Sequence, residues 1–480
     1  MNITINEAVS SQVNIEMFYE DQMPENLMYL KGMFEGKAKE LYTLVTNEEV
    51  VKYTLLIGLG KEAELTQEIV RNAVAKGARR VRELKLDAAN IKLVKSNVLT
   101  EVQMVEAVTD AICLGLYAFD KYKTDKQEAS ELKFSIQEVV EVETANRCVK
   151  EREHIAAGIN MARDIINEPS NVLYPETLAN IITQCGKESG FEVEVLEGEA
   201  LEKLGMDAML TVGNGSVNKP RLIVMRHMNA GDEEIFGLVG KGLTCDTGGY
   251  SLKHTDSMYY QKTDMSGAAS VLGTMIALAK NNVKKNVIGV IPACENVVSG
   301  CSYKVGDVLT TMAGKTVQVL NTDAEGRLAL ADAITYIIRE EKVGKLLDLA
   351  TLTGVAGVTF GNVYTAAISN NDAFYNEFLK AAEVAEEKFW RLPTDARYRE
   401  WINSDVADIK NTGAAGGGTI TAAMFLQEFV EEHPWIHLDI AATACVDPAV
   451  RDYEFRGGTG VAIRTLYAVS YTHLRAHETL

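Results

Sequence analysis

The sequence predicts an α/β protein built as two domains. Apolar runs of strand length alternate with stretches of helical spacing along most of the chain. At 480 residues it is too long for one ordinary hydrophobic core. From about residue 175 the alternation is regular enough to imply a mostly parallel sheet flanked by helices on both faces.

Taken in order, residues 51–57 are strand-like and lead into Gly58-Leu59-Gly60-Lys61. Residues 65–75 and 102–122 have helical spacing, and 132–142 alternate. This makes 1–142 an α/β domain with its own core. Residues 143–166 read as one long helix, stopped by Asn167-Glu168-Pro169-Ser170-Asn171, so 143–174 is expected to be a linker helix and entry loop. Strands are then expected near 208–212, 221–227, 235–240, 286–292, 316–320, 346–350 and 436–441. Helices are expected over 265–280, 328–341, 373–388 and 419–431, and the second domain spans 175–468. Residues 469–480 show neither strand alternation nor helical spacing and are expected to be a disordered or non-native tail.

A formal charge of −19 opposes a broad nucleic-acid surface and anionic membranes, although Arg79, Arg80 and Arg82 form a local basic patch. No apolar run approaches a membrane span, and the N-terminus lacks a basic segment followed by an apolar one, so a cytoplasmic protein is expected. Seven cysteines without paired spacing read as reduced thiols and exclude a zinc ribbon. Only His433 and His437 are spaced like a ligand pair, and Pro434 opposes a shared helix face. A metal here is expected to take oxygen ligands, with an amine as the other donor.

Two polar clusters have no packing explanation. Asn321-Thr322-Asp323-Ala324-Glu325-Gly326-Arg327-Leu328 lies between a predicted strand and a predicted helix, where α/β sheets bind ligands. Upstream, Lys241, Asp246, Lys253 and Asp264 surround a Gly248-Gly249 turn, whose glycines admit close approach. Asn321, Asp323, Glu325, Gly326 and Asp332 match the spacing of a calcium loop, but a strand stands where that motif needs a helix. A helix cap at Thr322 or Asp323 leaves Glu325 and Arg327 without a task. Asp246, Asp264, Asp323 and Glu325 in one crevice would repel one another unless cations neutralised them. Two divalent ions about 3.5–4 Å apart can activate a water and polarise a carbonyl, so the clusters point to hydrolysis.

At these residues the chain resembles the leucyl aminopeptidase family, the M17 metallopeptidases. The resemblance is carried in order by 239–253 (VGKGLTCDTGGYSLK), 262–269 (KTDMSGAA) and 321–328 (NTDAEGRL). Residues 167–171, Pro175-Glu176, 348–354 and 411–423 also match, and the likeness covers about 150–467. The first domain agrees more loosely. The resemblance implies a macro-like N-terminal domain, a zinc-peptidase-like catalytic domain and a homo-hexamer. It implies release of N-terminal amino acids, leucine-type but broad, from peptides with a free N-terminus.

It further implies two divalent metal ions, Mn²⁺ or Zn²⁺. Lys241, Asp246, Asp264 and Glu325 would hold the tighter one, and Asp246, Asp323 and Glu325 the more exchangeable one. Lys241 would ligate as a neutral amine, its proton affinity lowered by burial and by the cations. Lys253 would polarise the scissile carbonyl, and Arg327 would hold a bicarbonate serving as general base. The substrate's free amine would ligate one ion, which restricts cleavage to the first residue. Gln261, Thr351, Leu352 and Gly354 would line the substrate. Gln261 stands where many relatives have Met, which places an amide in an otherwise apolar wall. Cys245, Thr247 and Ser266 stand where relatives often have Phe, Ser and Gly.

The same resemblance admits a DNA-binding or regulatory member, or a catalytically silent scaffold. The net charge of −19 opposes the first, and the full set of seven polar site residues opposes the second. Gly416-Gly417-Gly418-Thr419 lacks the ending of a phosphate loop and is expected to be a turn before a helix. Cys294 and Cys301 are expected to be core or loop thiols. Met206, Met209, Met225 and Met228 are expected to fill core, and Trp390, Trp401 and Trp435 are too dispersed to form a binding platform.

Overall fold

The computed structural model describes residues 2–46, 50–125, 131–414 and 416–475. The chain forms two compact units: Met1–Ala157 with Asp447–Arg456, and Gly158–Val446 with Gly457–Leu480. The division after Ala157 falls within the helix Val142–Asn167.

In the first unit, Asn2–Ile5, Lys133–Gln137, Ala88–Lys92, Val13–Phe18 and Tyr53–Gly58 lie side by side and parallel. Leu41–Val45 closes one edge antiparallel. The helices Gln67–Glu83 and Glu101–Gly115 start at Thr66 and Thr100, whose side chains accept from the N–H groups of Ile69 and Gln103. The basic patch is partly helix glue. Arg79 and Arg82 donate to the carbonyls of Gly115 and Leu116 at 2.9 Å each, and Arg80 pairs with Glu83. Residues 447–456, which the pattern leaves inside 175–468, belong to this unit. Arg451 pairs with Glu68 at 2.9 Å, and the Asp452 N–H donates to Asn72 Oδ1 at 2.7 Å.

The second unit's sheet runs Phe389–Arg391, Thr365–Ser369, Trp435–Asp439, Lys345–Ala350, Ile235–Gly240, Asn286–Asn296, Arg221–Met228, Glu192–Glu197. The four strands from Trp435–Asp439 to Asn286–Asn296 are parallel, and Gly242–Asp246 pairs parallel to the last of them. Thr365–Ser369, Arg221–Met228 and Glu192–Glu197 pair antiparallel with inner neighbours, so the sheet is mixed around a parallel centre. Its middle is buried on both faces, which is why all eleven residues of Asn286–Asn296 are buried. The helices Ser266–Lys280 and Gly326–Arg339 pack on it and are themselves almost wholly buried.

Several expectations are corrected. The strand near 208–212 is a helix, Asp207–Gly213. A five-residue apolar run fits either element, and here tertiary contacts decide. Asp332 accepts from the Met209 N–H at 2.9 Å at the helix start, and Ala208, Met209 and Val212 enter the core. Asp332 also accepts from the Met312 N–H at 2.8 Å, a structural task far from a calcium loop. The strand before the acidic octet spans only Thr316–Gln318. It belongs to a separate three-stranded sheet with Val308–Thr310 and Ile409–Lys410, not to the main one.

The expected tail from 469 begins inside a helix, Ile463–Arg475. Ile463, Leu466, Tyr467 and Ser470 are buried at helical spacing, and Tyr467 stacks on Tyr471 with ring centroids 5.9 Å apart. Residues 476–480 lie outside the described residues. Met206, Met209 and Met225 are core, whereas Met228 ends its strand half-exposed.

Candidate metal centre

Five strands running in one direction deliver polar residues to one crevice. Lys241 follows Ile235–Gly240, Asp246 ends Gly242–Asp246, Asn296 ends Asn286–Asn296, Thr351 follows Lys345–Ala350, and Asp439 ends Trp435–Asp439. This is the carboxyl edge, where α/β sheets place ligands. Two helix starts supply the rest. Asp264 stands two residues before Ser266–Lys280, and Glu325 immediately precedes Gly326–Arg339, with Asp323 on the turn before it. The approach is close. A Cβ on Gly326 would lie 2.3 Å from Lys241 Cε, and one on Gly267 would lie 2.1 Å from the Leu349 carbonyl oxygen.

The structure brings all five proposed ligands and Lys253 together. Carboxylate oxygens of Asp246, Asp323 and Glu325 lie within 4.8 Å of one another. Lys241 Nζ is 2.7 Å from Asp264 Oδ2 and 2.8 Å from Glu325 Oε1, and it donates to the Thr351 carbonyl at 3.1 Å. Lys253 Nζ is 2.6 Å from Asp246 Oδ2 and also pairs with Asp323 Oδ1. Among the described residues, Glu325 Oε2 is buried with neither a hydrogen-bond partner nor an ion pair, and Asp264 Oδ2 has only its ion pair with Lys241. An unpaired buried carboxylate oxygen is costly, and a divalent cation among three carboxylates would satisfy it. A set of carboxylates with one amine suits such an ion, so the residues present fit a metal.

The electrostatics agree. Burial, then Glu325 and Asp264, push Asp246 well above the usual carboxylate range. Burial raises Asp264 to about 6 and also raises Asp323. Burial opposes charge on Glu325 too, but Lys241 and Lys253 outweigh it and hold Glu325 below its ordinary value. Burial lowers the proton affinity of both lysines, and the surrounding carboxylates more than restore it. Among protein groups alone Lys241 therefore favours its ammonium form, and a neutral amine there requires cations beside it.

Arg327 is buried, and burial lowers it to about 10. Its Nη1 donates to the Asn411 carbonyl at 2.8 Å, and its Nε has no hydrogen-bond partner among the described residues. Of the proposed substrate residues, Thr351 turns inward: its hydroxyl donates to Asp264 Oδ1 at 2.8 Å. The Leu352 N–H donates to Asp439 Oδ1 at 3.2 Å. Gly354 starts the helix Gly354–Phe360, and a Cβ there would meet nothing within 4 Å. Gln261 holds its amide 3.2 Å from Ser170 Oγ.

Sequence reasoning missed the residues that hold this frame. Asn296, Thr322, Ser251 and Tyr303 fasten the loops, and Asn411 accepts from the Leu320 N–H and donates to the Asn321 carbonyl. A polar Glu295-Asn296 at the end of an otherwise apolar strand was the available signal. His433 and His437 are no ligand pair. His437 lies 2.7 Å from Asp348, whose other oxygen accepts from Trp435 Nε1, and His433 contacts the Val430 carbonyl.

Comparison with known proteins places this geometry. Residues 160–467 match the catalytic domain of the cytosol aminopeptidase family, and 28–126 match that family's N-terminal domain. A Clostridium perfringens protein named "Probable cytosol aminopeptidase" is 43% identical over 452 residues, covering 93% of this chain and 92% of its own length. A Treponema denticola protein of the same name is 40% identical, covering 91% and 92%. Among solved structures, the bottromycin maturation enzyme BotP in complex with Mn superposes with a TM-score of 0.89 at 31% identity, covering 96% of this chain and 99% of its own. A mutant of tomato leucine aminopeptidase superposes with a TM-score of 0.88 at 29% identity, covering 98% and 96%. The chain belongs to the cytosol aminopeptidase family.

Proposed function

We propose that the protein, an aminopeptidase by family, removes N-terminal amino acids from peptides using two divalent metal ions held by Lys241, Asp246, Asp264, Asp323 and Glu325. The observation that carries this reading is the trio of carboxylates within 4.8 Å, flanked by two lysines, with one buried Glu325 oxygen unpartnered among the described residues. Mn²⁺ or Zn²⁺ suits the donors, and the manganese in the BotP structure supports the first. Bound there, the two ions supply an activated water and a polarised carbonyl.

The chain's own residues do the rest. Asp246 and Glu325 would serve both ions: Glu325 pairs with Lys241, Asp246 pairs with Lys253, and their carboxylate oxygens lie within 4.8 Å of each other. Lys253, 21% exposed, stands at the open side and donates to the substrate carbonyl oxygen as its charge grows. Arg327, a buried cation with no ion pair among the described residues, would hold a bicarbonate, which would supply a general base. Thr351 steadies Lys241 and Asp264, while Leu352, Gly354 and Gln261 border the first side chain. The Gln261 amide makes that border partly polar, which supports a preference broader than leucine. The family resemblance supports a homo-hexamer acting in the cytoplasm. No helix among the described residues is long and apolar enough to cross a membrane.

The test is metal removal. Chelator-treated protein should stop releasing the first residue of leucyl peptides, and Mn²⁺ or Zn²⁺ should restore it. Release that persists without metal defeats the proposal.

A further inference from the structure

We propose that Asn296 is a positioning residue that ties the two halves of the metal centre together and sets how tightly it holds its ions; this rests on the metallo-aminopeptidase reading. Asn296 ends the buried strand Asn286–Asn296 and is 1% exposed. Its amide nitrogen donates to Asp246 Oδ1 at 2.8 Å and to the Thr322 carbonyl at 2.9 Å. An amide carries two N–H groups, so both bonds form at once. The first reaches the ligand that ends Gly242–Asp246. The second reaches the turn that carries Asp323 and Glu325.

The contrast with the lysines shows what this bond does. Lys241 and Lys253 also join carboxylates of the two clusters, but with positive charges that oppose an incoming cation: Lys241 would have to lose its proton and Lys253 to be displaced. Asn296 is neutral and works from the other side of Asp246. Oδ1 receives Asn296 and the Gly248 N–H, which leaves Oδ2 facing Lys253. It orients a ligand without competing for its charge.

Both ends of the link are themselves fixed. A Cβ on Gly249 would lie 2.9 Å from Asn296 Oδ1, and the adjacent Glu295 is held by Ser216 Oγ at 2.5 Å and Asn218 Nδ2 at 3.1 Å. Thr322, fully buried, donates its hydroxyl to the Gly248 carbonyl at 2.7 Å and accepts the Ser251 N–H at 2.7 Å. Tyr303 also donates to the Thr322 carbonyl, at 2.8 Å. That bond anchors the same turn without touching Asp246, which makes Tyr303 the natural control.

Mn²⁺ is titrated calorimetrically into chelator-treated wild type, Asn296→Ala and Tyr303→Phe, with circular dichroism reporting the fold and kcat and KM measured at saturating Mn²⁺. Asn296→Ala should bind at least one ion roughly ten- to a hundredfold more weakly. Its kcat should recover largely at saturating metal, and Tyr303→Phe should bind within about threefold of wild type. If the alanine variant fails to fold, Asn296→Ser, which keeps one donor, carries the same readout and should give an intermediate loss. Wild-type affinity in the Asn296 variants, or an equal loss in Tyr303→Phe, overturns the assignment. A wild type that binds no Mn²⁺ instead defeats the metallo-aminopeptidase reading itself.

Discussion

Replacing Lys253 with alanine separates holding the ions from using them. The Lys253 ammonium lies 2.6 Å from Asp246 Oδ2 and also pairs with Asp323. At that distance, and an effective dielectric of about 20, the Asp246 pair carries about 6 kcal/mol of Coulomb attraction before desolvation. On the proposed reading, a divalent ion would have to displace that ammonium from Asp246 and Asp323. Lys253→Ala removes the competitor, so Mn²⁺ affinity should stay equal or rise. Turnover should move the other way. A donor aimed at a developing oxyanion is worth about 2.7–4 kcal/mol, roughly 10²–10³ in kcat. The assay pairs kcat on an aminoacyl fluorogenic substrate at saturating Mn²⁺ with calorimetric Mn²⁺ binding. If metal affinity falls along with turnover, Lys253 serves to hold the ions. If kcat is unchanged, Lys253 has no part in the chemistry.

Gly326→Ala should expel Lys241 from its place, because the new Cβ would lie 2.3 Å from Lys241 Cε; metal content by mass spectrometry should fall with activity, and full occupancy would refute the packing argument. Asp332 is raised from 3.8 to about 7, chiefly by burial, with backbone N–H groups offsetting part of the effect. The folded state thus keeps a proton that the unfolded chain releases, and the Asp332 contribution to stability falls as pH rises from about 4 to about 7. Asp332→Asn should make the fall of Tm across that window shallower, and an unchanged slope by calorimetry refutes it. Gln261→Met should raise kcat/KM for leucyl over seryl substrates by roughly tenfold, the scale of one altered contact in a side-chain pocket; an unchanged ratio would place Gln261 outside that pocket.

Much of the centre was legible in the chain because its chemistry is local. Lys241, Asp246, Asp264, Asp323 and Glu325 each sit at or just beyond the end of a strand or the start of a helix, and charged groups in such places betray a task other than packing. The central strands were legible because buried strands impose continuous apolar runs, and the long helix because its length is unbroken up to Asn167-Glu168-Pro169. Short elements were not. Asp207–Gly213 and Thr316–Gln318 owe their form and place to distant partners: Asp332 is 123 residues from Met209, and Ile409 is 92 residues from Val317. Ile463–Arg475 shows the same dependence, because its helical spacing becomes evident only with Leu466 and Ser470 buried.

By itself, then, the sequence determined the α/β class, the two acidic clusters and the family to which their spacing belongs. Tertiary structure alone decided that Asn296 joins those clusters, that Thr351 faces Lys241 and Asp264, and that one Glu325 oxygen has no donor among the described residues. The physical reason is range. Composition and periodicity record what each segment buries, whereas the bond between Asn296 and Asp246 exists only once two strand ends meet, and that between Thr351 and Asp264 only once a strand end meets a helix start.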